Sequence, residues 1–506
     1  MHQYHSPDQI ASVTDRIHNI LVDYYAEPEK KPVIQSISKA EAVKRFNEPN
    51  PPKNGIGLEA ALNLFTKEVL PVSIKTWHPR FLNQMFGGTS LPGVVGEMLA
   101  SMMNPTLATW EMAPAATIIE RNITQWLSKI MGMPEGSSGI LLPGGSISNL
   151  LALTVARNTR LGPDVATKGV AGIEQRGAII CSDSAHYSIT NAGNMLGIGS
   201  DQVIKVSTND RGEMLIEDLH AKLEECERRN LKPFVIVATM GITVSGGFDP
   251  LSEIVPICRE RDIHLHVDAA FGGCMAATSK GRDIFSGVEY ADSVIWDAHK
   301  WMHVPLTCTA LMVPDAGLLK HVFESNADYL YHPQEEEVDL TDDLGQYSIL
   351  CGKRFDGLCL WMLFKTFGED YFLKMAESRL NLLNELRVIF QEDPELSLSY
   401  DPISPLICFQ FNSPELAGSD AAYRDKLHRW IREESKRRNS AMYNVTVFKG
   451  TVHFRCVLIN QLTTADHMRE LMAEIRSLGH EFMQRFPMPV SAQAKKMERE
   501  YANSQS

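Results

Sequence analysis

Residues 293–305 read "SVIWDAHKWMHVP". Val294, Ile295 and Trp296 have the make-up of a strand buried on both faces, and directly after them stand Asp297, His299 and Lys300. A buried strand that stops on a lysine either surfaces there or delivers an amine into a site. Six further runs share its character: "GILLPGG" (139–145), "RGAIICSDSAH" (176–186), "DQVIKVSTND" (201–210), "FVIVATMGIT" (234–243), "IHLHVDAAFGG" (263–273) and "CTALMVP" (308–314). Amphipathic segments such as "MLIEDLHAKLEECERRN" (214–230) and "LSEIVPICRERD" (251–262) lie between several of them. Near-continuous apolar strands alternating with helices predict an α/β sheet, mostly parallel and covered on both faces.

Outward from this centre the pattern changes. Residues 1–95 read as a helical segment: "DQIASVTDRIHNILVDYYA" (8–26) repeats apolar residues at helical spacing, and a Pro- and Asn-rich link, "FNEPNPPKNGIG" (46–57), follows it. A large α/β domain is expected over 96–375. A smaller α+β domain over 376–490 follows the helical stretch "YFLKMAESRLNLLNELRVIFQED" (371–393), with strands in "PLICFQFN", "NVTVFKG" and "TVHFRCVLI" and a closing helix from 465. Residues 491–506 form a polar tail.

The chain has 506 residues, 44% of them hydrophobic and 22% charged, the balance of an ordinary globular protein. A net charge of -13 speaks against a general nucleic-acid binder, whose phosphate contacts need a basic surface. The nine cysteines are scattered with no C-x-x-C pair, and several sit in apolar runs, so they are expected to be reduced. With neither a signal-peptide core nor a membrane-length apolar run, a cytoplasmic protein is expected, and no metal site.

In an open parallel sheet the ligand lies beyond the carboxyl ends of the strands. Four runs end near residues useful for chemistry: His186, Thr239, Asp268 and Lys300. Each has a plainer reading, as a helix cap, a core histidine or a surface lysine, but their coincidence at one sheet edge favours one site. A lysine and an aspartate placed together suit pyridoxal 5'-phosphate, which needs an amine for its aldehyde and a carboxylate for its ring nitrogen. His186 would lie flat over the ring, and the small Ala270 would leave room on its other face. "LLPGGSISNLLALTVAR" (141–157) offers a strand, a Gly pair and a helix start at which backbone N–H groups, Ser146 and Ser148 would hold a phosphate. It is neither a dinucleotide G-x-G-x-x-G turn nor a Walker A loop, so NAD and ATP fit poorly.

These residues resemble a known family. "HVDAAFGG" with "WDAHKW" about thirty residues later is similar to the signature of the group II pyridoxal-phosphate decarboxylases of fold type I, the aspartate aminotransferase-like fold. That family includes glutamate, cysteine-sulfinate and aromatic amino-acid decarboxylases. "HPRFLNQMFGG", "TWEMAPAATIIE", "PGGSISNLLAL", "DSAHYSI", "ATMGITVSGGFDPL" and "FRCVLINQLTT" also match in order, from about Trp77 to the final helix. The resemblance implies that Lys300 binds the cofactor covalently, Asp268 pairs with the ring nitrogen and His186 stacks on the ring as an acid or base. It implies that Ser146, Ser148 and His299 bind phosphate, that Thr239 and Ala270 lie around the ring, that Arg455 holds the substrate α-carboxylate and that Gln84 contacts the substrate. It also implies a homodimer wrapped by the N-terminal helices.

Two departures stand out. Relatives usually carry Asn-Pro-His-Lys where this chain has Asp297-Ala298-His299-Lys300, and an aspartate beside a phosphate is unfavourable unless it points away. Many relatives also carry a loop tyrosine that returns a proton after carbon dioxide leaves; here that position falls on Glu337 or Val338, with Tyr331 and Tyr347 out of register. An acidic substrate (glutamate, aspartate or cysteine sulfinate) is favoured, from "HPRFLNQMFGG" and "CGKRFD" (351–356). The acidic run Glu335, Glu336, Glu337 raises the alternative of a basic one such as lysine, ornithine or diaminobutyrate. The missing tyrosine leaves open a lyase or aldehyde synthase on the same scaffold. A non-catalytic scaffold is disfavoured by the intact Lys300, Asp268, His186 and Arg455.

Overall fold

The computed structural model describes residues 6–162, 164–325, 327, 330–331 and 343–488. All seven central runs form strands: β1 (Ser138–Leu142), β2 (Arg176–Ser182), β3 (Val203–Val206), β4 (Leu231–Thr239), β5 (His264–Asp268), β6 (Ser293–Asp297) and β7 (Thr309–Val313). They make one sheet in the order β1-β7-β6-β5-β4-β2-β3. The β3-β2-β4-β5-β6 pairs are parallel, and β7 alone runs against its neighbours β1 and β6. Every residue of β1, β5, β6 and β7 is buried, which is why these strands read as continuous apolar runs rather than alternating ones.

Alternation survives only in what each face touches. On β4, Val235 and Val237 pack with Leu153 and Ala156 of the helix Gly145–Arg160 on one side. Ile236 and Ala238 pack with Leu219, Leu223 and Ile254 on the other. A second sheet, order β10-β11-β9-β8, is antiparallel throughout and comprises β8 (Leu396–Leu398), β9 (Leu406–Phe411), β10 (Asn444–Phe448) and β11 (Thr451–Val457). Its core is closed by the helices Asp370–Glu392, Ala421–Arg437 and Ala465–Arg485. The helix Asp370–Glu392 belongs to both cores: Phe372 and Met375 pack with the large sheet, and Leu382, Leu383, Leu386 and Phe390 with the small one.

Near the N-terminus, the helices Pro7–Tyr25, Lys39–Phe46 and Leu58–Leu64 have no buried residue. A groove of about 1020 Å³ lies between the first and third. No helix among the described residues is long and apolar enough to cross a membrane. All nine cysteines are free and eight are buried, Cys351 being the exposed one.

Candidate active site

Two adjoining cavities open at the carboxyl ends of β4, β5 and β6. One, of about 330 Å³, is lined by Gly144, Gly145, Ser146, Asn149, His186, Thr239, Asp268, Ala270, Asp297, His299 and Lys300 among others. The second, of about 320 Å³, is lined by Gln84, Phe86, Val244, Asn444, Thr446 and Arg455, and shares His186, Thr243, His299 and Lys300 with the first. The sequence-predicted residues thus converge, with one exception. Ser148 does not line either cavity: its N–H and its hydroxyl both donate to the Gly144 carbonyl, at 3.1 and 3.2 Å. As the fourth helical residue it is the first whose N–H has an intrahelical acceptor, so the anion-facing donors are those of the first turn, beginning at Gly145. Gly144 makes the turn into this helix with φ of 108°, a conformation open to glycine at little cost.

Lys300 lies on the single turn Ala298–Trp301 that follows β6. Trp301 is fully buried and stacks on Phe271, ring centroids 5.7 Å apart, which anchors the turn and leaves Lys300 facing the cavity. The Lys300 amine is 3.0 Å from Asp297 Oδ2, and Thr309 donates to Asp297 Oδ1 at 2.6 Å. Asp297 therefore does not point away from the cavity. His299 pairs through Nδ1 with the carbonyl of Cys308 at 2.9 Å; burial holds its pKa below the ordinary value, against the pull of Asp297.

Asp268 is buried and gripped from two sides: Asn149 Nδ2 donates to Oδ2 at 3.0 Å and the Ala270 N–H to Oδ1 at 3.2 Å. Because the Asn149 amide nitrogen faces the carboxylate, its Oδ1 accepts from His266 Nε2 at 2.8 Å. His266 Nδ1 then accepts from Ser293 Oγ, which in turn accepts from His264 Nε2. Burial lowers the His266 pKa to about 4, which matches a neutral ring that donates from one nitrogen and accepts at the other. Asn149 also donates to Ser188 Oγ at 2.9 Å, and Ser188 bonds His186 Nδ1 at 2.8 Å. This leaves His186 Nε2 to carry the ring proton; burial, opposed by Asp268, lowers its pKa.

Sequence reasoning missed Asn149, Ser188, His266 and Ser293. One signal was present: His264, His266 and Asp268 alternate along β5 and so share a face. The partners 117 and 119 residues away left none.

Arg455, on β11, is buried, and burial lowers its pKa. Its Nε donates to the Thr243 carbonyl at 2.9 Å and Nη1 to the Asn83 carbonyl at 3.2 Å, while Nη2 has no partner among the described residues. Thr239 Oγ1, beside the first cavity, is likewise buried without a partner among the described residues. Two buried polar atoms left open, a glycine turn at a helix start and a reachable amine fit a phosphate-bearing aldehyde and a carboxylate ligand. Glu335, Glu336, Glu337 and Val338 lie outside the described residues. Tyr347 is a core residue whose hydroxyl accepts from Arg121 Nη2 at 3.3 Å.

A mostly parallel seven-stranded sheet with this cavity at its strand ends is the architecture of the fold type I pyridoxal-phosphate enzymes. Within that class the chain belongs to the pyridoxal-dependent decarboxylases: the family described as "Pyridoxal-dependent decarboxylase conserved domain" matches residues 52–412. It is a carboxy-lyase that uses pyridoxal 5'-phosphate. The chain is 33% identical over 420 residues to the acidic amino acid decarboxylase GADL1 of Bos taurus, covering 82% of this chain and 80% of that relative. The Mus musculus protein of the same name is 33% identical over 422 residues, covering 82% and 76%. Among solved structures, mouse CSAD is similar with a TM-score of 0.87 and 29% identity, over 94% of this chain and 99% of that one. Oryza sativa TDC with PLP and tryptamine has a TM-score of 0.88 at 24% identity, over 96% and 100%, a likeness of fold.

Proposed function

We propose that the chain removes the α-carboxylate of an acidic L-amino acid, releasing carbon dioxide and an amine. The observation that carries this reading is Arg455: a buried guanidinium with one unpartnered nitrogen, in a cavity that shares Lys300 and His186 with the cofactor space. When bound, the cofactor supplies a ring that accepts the electrons of a broken Cα bond. The protein's part is orientation and proton control. Arg455 would bind the α-carboxylate and so orient the bond to be broken. Asp268, held by Asn149 and Ala270, would keep the ring nitrogen protonated. The first-turn N–H groups from Gly145, with Ser146 and His299, would hold the phosphate. Thr239 and Ala270 would border the ring, His186 would stack on it with its proton on Nε2, and Lys300 would be the amine that binds the aldehyde.

The acidic substrate class rests on the GADL1 relatives and on the second cavity. Gln84 and Thr446 line it, with Asn444, which sits opposite Arg455 in the β10–β11 register. The Asn444 Oδ1 accepts from the Val445 N–H at 3.0 Å, leaving the amide N–H groups to face a distal acid. A panel of glutamate, aspartate, cysteine sulfinate, lysine and diaminobutyrate, with released carbon dioxide as readout, tests it. Turnover confined to the acidic members supports the proposal, and turnover of the basic ones alone refutes it.

The working form in this reading is a cytoplasmic homodimer. Support comes from the free cysteines and from the exposed apolar residues of the unburied N-terminal helices, among them Ile10, Val22, Phe46, Leu58 and Leu64.

A further inference from the structure

We propose that Asp297 takes the proton Lys300 must lose when the cofactor binds, and that the resulting neutral acid is what lets an aspartate stand beside the phosphate. The inference rests on the cofactor placement given above. Asp297 ends β6, and its side chain is 3% exposed. Its Oδ2 is 3.0 Å from the Lys300 amine, and its Oδ1 is fixed by the Thr309 hydroxyl at 2.6 Å. A Cβ added to Gly145 would lie 3.0 Å from both carboxylate oxygens, so the group sits against the first residue of the helix Gly145–Arg160. That is where the unpaired backbone N–H groups would meet a phosphate.

Two requirements then collide. An ionised carboxylate repels a phosphate dianion placed beside it, and a lysine ammonium cannot bond an aldehyde carbon. One proton transfer meets both. Lys300 Nζ gives a proton to Asp297 Oδ2, converting the ion pair into a neutral amine and a neutral acid. The amine lone pair then bonds the aldehyde carbon, and the aldehyde oxygen leaves as water with the two remaining amine hydrogens. Asp297 keeps the Thr309 hydrogen bond at Oδ1 and presents an O–H at Oδ2 to a phosphate oxygen, a donor on a neutral group of an asparagine's shape.

The other ionisable groups lining this cavity are His299, His186 and Asp268. His299 Nε2 is 3.6 Å from Asp297 Oδ2, and its Nδ1 is engaged with Cys308. His186 Nδ1 is engaged with Ser188, and Asp268 with Asn149 and Ala270. Asp297 is the acceptor in contact with the amine.

The test is the pH dependence of cofactor affinity, measured on cofactor-free protein from the visible band on titration. It compares the wild type with Asp297→Asn, using pyridoxal phosphate and the phosphate-free pyridoxal, well above the second phosphate pKa of about 6. In the wild type the lysine's proton stays in the complex on Asp297, whereas a complex without that acceptor must release it and so tightens as pH rises. The wild-type affinity for pyridoxal phosphate is therefore expected to rise about tenfold less per pH unit than that of Asp297→Asn. With pyridoxal the two proteins should share one slope. The wild type alone should show the same one-proton difference between the two ligands, a comparison that needs no variant. Equal slopes for the two proteins with pyridoxal phosphate, or an equal difference with pyridoxal, overturn the proposal. Failure of the cofactor placement itself reads out separately, as a visible band that survives in Lys300→Ala.

Discussion

Asp268 owes its position to a chain of hydrogen bonds in which Asn149 is the branch point. The amide serves Asp268 and Ser188 as donor and His266 as acceptor, so its orientation sets the tautomers of both His266 and His186. Removing it leaves a buried carboxylate and a buried imidazole each short of a partner. Asn149→Leu is expected to lower kcat/KM by about 10- to 100-fold, the loss of a hydrogen bond to a charged group being about 1.5–3 kcal/mol. It should also shift the visible band of the bound cofactor, because the carboxylate proposed to face the ring nitrogen would lose its orientation. Unchanged spectrum and rate would show that Asp268 holds itself. At this scale the sequence was informative wherever one residue's chemistry was enough. Lys300, Asp268 and His186 stood out because an amine, a carboxylate or an imidazole at the end of an apolar run is conspicuous, whereas Gln84 and Arg455 came only from the family resemblance. Asn149, Ser188 and Ser293 were not, since a polar residue on a helix or at a strand start is ordinary until its distant partner is known. Ser148 differs for a related reason: its identity suits a phosphate, but its place in the helical turn engages its donors with Gly144.

Among the elements, the seven strands of the large sheet announced themselves through composition, because four are buried along their whole length and the others carry only isolated polar residues such as Lys205 and Lys232. The three-residue edge strand β8 did not, being too short to show a period. Register and order came only from the fold, and they bring β1 beside β7 so that the helix Pro114–Met131 can clamp it. Glu120 of that helix accepts from the Leu141 N–H at 2.9 Å, while Lys353 donates to the Leu141 carbonyl at 2.7 Å and meets Glu120 at 2.8 Å. Both side chains are at most 2% exposed. Burial pushes the Glu120 pKa up and the Lys353 charge pulls it back. The clamp lies two residues before Pro143 and the phosphate turn. Lys353→Met strands a buried carboxyl group and is expected to cost about 3–5 kcal/mol in chemical denaturation. The double variant Glu120→Leu/Lys353→Met should recover most of that loss. Equal destabilisation in both variants would mean that lost packing, not the unpaired acid, is responsible.

For the whole molecule, the N-terminal helices are the part whose sequence pattern and burial disagree most: amphipathic by spacing, yet without a buried residue. In the proposed homodimer a second copy of the chain would cover the groove between the helices Pro7–Tyr25 and Leu58–Leu64. Sedimentation of the wild type is expected to give a dimer, and Ile10→Asp/Leu58→Asp should shift it toward monomer. A wild type that stays monomeric at all concentrations contradicts this arrangement. The site, by contrast, gathers its parts from the whole length of the chain, with Gln84 before the large sheet and Arg455 in the small one meeting Lys300 between them. The central claim is that the Lys300 amine is the group that bonds the cofactor. Reducing the loaded protein with borohydride and mapping the labelled peptide tests it most directly. The predicted result is a single label on Lys300, within "DAHKW". A label on another lysine, or a bound cofactor that leaves no label, would contradict the account.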